Sequence, residues 1–116
     1  MASLNTFGAV FTFAIELERR LSAYYGSIGE THLSRAADKR RKKLERVRRE
    51  NVVEITLEPI AGLDAADYAL ELNDGSAAGQ AAAAGIAARF YREAAPKINV
   101  RAAQRALERC GKEHAS

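Results

Sequence analysis

Apolar side chains return every three to four residues along most of this chain, the spacing that lines one face of an α-helix. From about Asn5 to Tyr25, the residues Phe7, Val10, Phe11, Ala14, Leu17, Leu21 and Tyr25 fall on one broad face, with Asn5 or Thr6 placed to cap its start. Glu16 points away from that face, whereas Glu18 points into it. Gly26 and Gly29 mark the turn that follows. A second helix is predicted from Thr31 to about Leu57, ended by Pro59, which disfavours helix in the residue before it. Its inner stripe reads Leu33, Ala36, Ala37, Arg40, Leu44, Val47, Asn51 and Ile55, an apolar track interrupted by Arg40 and Asn51.

The segment "GLDAADYALEL" predicts a short helix capped by Asp64, with Asp67 three residues on. After the turn "NDGS", Ser76 caps a third long helix that Pro96 ends, with Gly79, Ala83, Ile86, Phe90 and Ala94 as its stripe. Asn99 is placed to cap the fourth, where Val100, Ala103, Leu107, Cys110 and His114 share a face. The pattern predicts an all-α four-helix bundle with a short extra helix in the crossover between the second and third helices. No strand pattern competes with it.

Composition narrows this picture. A chain of 116 residues makes one compact domain, residues 1–116, and 47% apolar content supplies its core. One cysteine, Cys110, excludes a disulfide within the chain and suits a reducing compartment. The first apolar run has no basic residue ahead of it and is broken by Glu16 and Glu18, so no signal peptide or membrane span is expected. A cytoplasmic protein is the expectation.

Charge adds a surface. The net charge is only +3, but eight Lys or Arg lie between Lys39 and Arg49 against one Glu. Seven acids and no Lys or Arg follow from Glu50 through Ala88. A basic block beside an acidic one can bind an outside partner, its own other half or a second copy. The candidate basic surface comprises Lys39, Arg41, Lys42, Arg46, Arg48 and Arg49.

The two halves echo each other. "FAIELERRLSAYY" and "AAAAGIAARFYREAA" each carry an aromatic pair near the helix end, Tyr24–Tyr25 and Phe90–Tyr91, followed by a turn and a charged helix. With "ELE" ahead of the first pair and "ALERCGKEHA" at the end, the chain resembles the rubrerythrin branch of the ferritin-like superfamily. The resemblance implies a bundle holding two iron or manganese ions, with a Glu from the first helix of each half and a Glu-x-x-His from the second.

Carried across residue by residue, Glu18 matches the first Glu, Arg40 stands at a Glu place and Lys43 at a His place. Ala84 stands at the second half's first Glu, Gly111 at its last Glu, and His114 matches the last His. Sliding the register to Glu45 or Glu50 does not restore the motif, because Arg48 and Val53 stand where a His is needed. Glu18 and His114 alone cannot hold two hard cations, so no metal or other cofactor is expected. Iron or manganese would be present only in the alternative of a working rubrerythrin-like oxidoreductase.

Hairpin arithmetic points to what fills the space. A turn near residue 28 places Glu18 opposite residues 38 to 40, so an ion pair between Glu18 and Arg40 is expected where the family keeps its metal. Cys110 is expected to be a buried structural thiol, His114 a fraying terminal residue, and Tyr24, Tyr25 and Tyr91 residues at the core edge. The expected function is a catalytically inactive bundle serving as a structural or protein-interaction module. It would be a homodimer or bind another protein, through Phe13, Ile15 and Tyr24, which extend beyond one stripe. A nucleic-acid or anionic-surface binder through the basic helix 39–49 is the alternative, less favoured because those cations point all round the helix with no stacking platform.

Overall fold

A computed structural model describes residues 3–51 and 60–115. Its α-helices are α1 (Phe7–Ser27), α2 (Thr31–Asn51), α3 (Ala77–Ala94) and α4 (Arg101–Ala115), with short 3₁₀ turns at Ala65–Tyr68 and Ala95–Lys97. The expected continuation of the second helix to Leu57, with Ile55 and the stop at Pro59, lies outside the described residues. Among the described residues there is no strand beyond an isolated bridge between Ser3 and Asp64. None of the described helices is long and apolar enough to cross a membrane.

Local chemistry sets the helix ends. Thr6, rather than Asn5, caps α1, its Oγ1 accepting from the Ala9 amide at 3.0 Å. Ser76 caps α3 in the same way through the Gly79 amide. Gly29 takes φ +80 between α1 and α2, a conformation that a residue with a Cβ rarely adopts. Between α1 and α2 two serines clasp each other: Ser22 Oγ donates to the Ser34 carbonyl at 3.0 Å, and Ser34 Oγ donates to the Ser22 carbonyl at 2.8 Å.

The bundle consists of two antiparallel hairpins, α1 with α2 and α3 with α4, laid against each other. Tyr24, near the end of α1, donates to the Asp74 carbonyl just ahead of α3, so α3 starts at the end where α1 finishes. That direction makes α4 antiparallel to α2. The crossover travels the length of the bundle to reach that point. Backbone bonds from Leu4 to Leu63 and from Ile60 to Asn5 pin it at one end. Along the way, Tyr68 OH donates to Glu93 and Arg89 donates to the Asp67 carbonyl.

The core fills with the residues of the four stripes, including Val10, Phe11, Leu21, Leu44, Phe90 and Leu107, all fully enclosed. The expected short helix in the crossover is present and capped by Asp64, as a single 3₁₀ turn, because the chain is already extended at Ala69 and too few residues remain to repay nucleation of an α-helix. Two expectations need correction. Leu33 sits on the apolar track of α2 but is 37% exposed, whereas its neighbour Ser34 takes the contact with α1 through Ser22. The surface assigned to a partner is used internally. Ile15 and Tyr24 are buried within the chain, and Phe13 packs on Phe90 and on Tyr68 of the crossover, at ring-centre distances of 4.9 and 6.3 Å.

Candidate functional site

Glu18 occupies a core position by its spacing from Ala14, Leu21 and Tyr25, and it is completely enclosed. A lone carboxylate there would be untenable, since an unpaired charge in the interior costs several kcal/mol. Each of the other three helices sends one side chain to it. Arg40 of α2 donates from Nε to Glu18 Oε1 at 2.9 Å. Tyr91 of α3 donates its hydroxyl to Oε2 at 2.6 Å. His114 of α4 places Nε2 2.8 Å from the same oxygen. An ionised carboxylate only accepts, so His114 Nε2 carries the hydrogen of that bond.

A second acid completes the arrangement. Arg40 Nη1 donates to Glu113 Oε1 at 3.0 Å, so the guanidinium is held between a buried carboxylate and a half-exposed one. The His114 ring lies nearly parallel to the Tyr91 ring, 5.8 Å between centres and 10° between planes. Among the described residues no buried side-chain nitrogen or oxygen lacks a hydrogen-bond partner. A buried polar network satisfied to this degree fixes one packing, because any displaced member leaves an unpaired group behind.

The environment shifts the titration of its members. Burial alone would raise the Glu18 carboxyl, but the hydrogen bond and charge of His114, the Arg40 charge and the Tyr91 hydroxyl outweigh it and hold the group below its ordinary value. Burial would also weaken the Arg40 cation, yet Glu18 and Glu113 strengthen it. Tyr91 is pushed well above the ordinary phenol by burial and by the negative charge of Glu18. The Cys110 thiol, 2% exposed, is pushed up to about 12 by burial first and then by Glu18. It is therefore a packing residue and a poor nucleophile.

The structure brings Glu18, Arg40 and His114 together and separates them from the remaining positions named above. Lys43 is partly exposed and lines a groove between α2 and α4. Gly111 packs against Tyr91, where an added Cβ would meet the Tyr91 Cβ at 2.9 Å, so the carboxylate implied by the resemblance has no room there. His114 is neither frayed nor terminal in character, because Glu18 and Tyr91 fix it. Tyr91 is a fully buried member of the network and not an edge residue.

Tyr91 and Glu113 were not singled out as partners of the Glu18–Arg40 pair by the sequence pattern. The one signal available for Glu113 is its place beside His114 at the end of α4, where it can reach a cation on α2. The basic surface is also partly neutralised. Arg41 bonds Asp38 and Glu45 at 2.7 and 2.9 Å, Lys42 reaches Asp38 at 3.3 Å, and Arg48 contacts Thr12 Oγ1 at 3.3 Å. Lys39, Arg46 and Arg49 remain exposed.

Among the described residues no group of three or more His, Cys, Asp or Glu converges as a metal site. The donor chemistry at the centre opposes one directly. Arg40 has no lone pair to offer, and it occupies the Glu18 oxygen that a cation would need. In comparisons with known proteins, no family model, curated protein or solved structure matched the chain.

Proposed function

We propose that the protein is a catalytically inactive helical bundle on a ferritin-like plan, serving as a structural or protein-interaction module. The Glu18–Arg40 pair would stand where the resemblance places two metal ions. The observation that supports this reading is the occupation of Glu18. Arg40 takes one oxygen, Tyr91 and His114 share the other, and the permanent cation of Arg40 adds its own field. A second metal ion would repel Arg40 and would find no ligand at Lys43, Ala84 or Gly111.

An interaction role fits a polar contact better than an apolar one. Among the described residues Leu33 is the exposed large hydrophobic side chain, and Phe13, Ile15 and Tyr24 are taken up by the chain's own core and crossover.

The test is metal loading. Protein purified with iron(II) or manganese(II) supplied throughout is expected to carry far less than one ion per chain by elemental analysis. Its melting temperature should not change on addition of either metal. One or two tightly held ions per chain, with a rise in melting temperature, would overturn this reading in favour of the oxidoreductase.

A further inference from the structure

The antiparallel helices α2 and α4 enclose an open groove of about 480 Å³. Arg35, Lys39 and Lys43 line one wall, Arg109 and Glu113 the other, and Arg40 also contributes to the lining. The three α2 cations recur at every fourth residue, so their backbones stand about 6 Å apart along one flank. Against five Lys and Arg the lining has one carboxylate, Glu113, and Arg40 already engages it.

The cations of α2 differ in their pairing. Arg41 and Lys42 are neutralised by Asp38 and Glu45 on the same helix. Among the described residues, Arg35, Lys39, Lys43 and Arg109 make no ion pair. Like charges four residues apart on a helix repel, and a concave wall focuses their common field. Such a groove is incomplete as a charge arrangement until an anion enters it.

We propose that this groove binds a small anion carrying two or more phosphate groups. Guanidinium and ammonium donors arrayed at turn spacing match the dispersed oxygens of linked phosphates. The volume lies in the range of small-ligand sites, roughly 300 to 1,000 Å³. A nucleic-acid strand fits less well: the α2 cations extend over only about 12 Å, and His32 is the one aromatic ring in the groove lining, short of a platform for successive bases. Arg40 and Glu113 belong both to this groove and to the central network, whereas Arg35, Lys39, Lys43 and Arg109 belong to the groove alone.

Titration calorimetry at low salt with sodium tripolyphosphate, with ATP and with a single-stranded twelve-nucleotide DNA tests it. Tripolyphosphate, ATP or both should bind at one site per chain, weakening as sodium chloride is added. Whichever of the two binds more tightly identifies the inorganic or the nucleotide source. Lys39→Glu and Arg109→Glu should each weaken binding about tenfold or more, the loss of a charge-assisted contact. Arg101→Glu, an exposed cation outside the groove, should leave binding unchanged. The groove variants should melt no lower than the parent, since they relieve repulsion; this separates loss of the site from loss of the fold. Absence of saturable binding, an equal loss in Arg101→Glu, or tighter binding of the oligonucleotide that grows with its length would overturn the proposal.

Discussion

Glu18 and His114 lie 96 residues apart in the chain, yet Oε2 and Nε2 are 2.8 Å apart in the centre of the bundle. Their meeting requires both hairpins to dock in one register, with Arg40 and Tyr91 arriving from the remaining helices. The network therefore reports on the whole fold, and its removal should be felt globally.

Arg40→Ala should cost about 3 kcal/mol, because it leaves Glu18 enclosed without its permanent counter-charge. In a domain of this size that loss lowers the melting temperature by roughly 10 to 15 °C. The double variant Glu18→Leu with Arg40→Leu should not recover the parent's stability, since it removes the buried charges but leaves the Tyr91 hydroxyl and His114 Nε2 without their acceptor. Thermal melts followed by circular dichroism decide this, and an unchanged midpoint for Arg40→Ala would refute the role assigned to the pair.

Acid should weaken the fold through the same residue. The folded protein holds the Glu18 carboxyl below the value of about 4.3 that it takes in an unfolded chain. Its ionised form thus contributes stability above that pH, and the contribution disappears as pH falls through the depressed folded value. Glu18→Gln should accordingly be less stable than the parent at pH 7, with the gap narrowing towards pH 3. A gap that is constant over this range, measured by urea titration, would remove Glu18 from the acid response.

The hairpin pairing of Glu18 with Arg40 was legible because it needs only a turn position and a helical rise. Thr6 and Ser76 were legible as caps for a similar reason: their bonds reach three residues along the chain. Tyr91 and Glu113 come from across the crossover, where their level depends on how closely two hairpins approach. Gly111 against Tyr91 sets the spacing of α3 and α4 within the second hairpin, and periodicity carries information on neither distance. Leu33 shows the same limit from the other side. The apolar period names a helix face but not which of its positions a neighbour covers.

Cys110 should resist thiol reagents in the native protein. A thiol near 12 is ionised at pH 8 on the order of a thousandfold less than an ordinary one, and its burial hinders the reagent further. Reaction with Ellman's reagent should become prompt only in denaturant. Fast labelling of the folded protein would show that the end of α4 opens readily.

Two glycines on facing helices should respond oppositely to alanine. Around Gly85, within α3, an added Cβ meets nothing within 4 Å, so Gly85→Ala should gain about 0.5 to 1 kcal/mol from helix propensity. Gly111→Ala brings a methyl to 2.9 Å from the Tyr91 Cβ, so it should be destabilising and shift the Tyr91–Glu18 bond. Paired denaturation curves compare the two, and a stabilised Gly111→Ala would show that this contact is loose.

The serine clasp between Ser22 and Ser34 has a consequence for the order in which the fold is assembled. It joins residues 12 apart, whereas Tyr91 and His114 reach Glu18 over 73 and 96 residues. Closing a short loop costs less entropy than closing a long one, so the Glu18–Arg40 pair is expected to form ahead of the contacts to Tyr91 and His114. Docking of the second hairpin would then cover a carboxylate that already has its counterion, which avoids burying a bare charge.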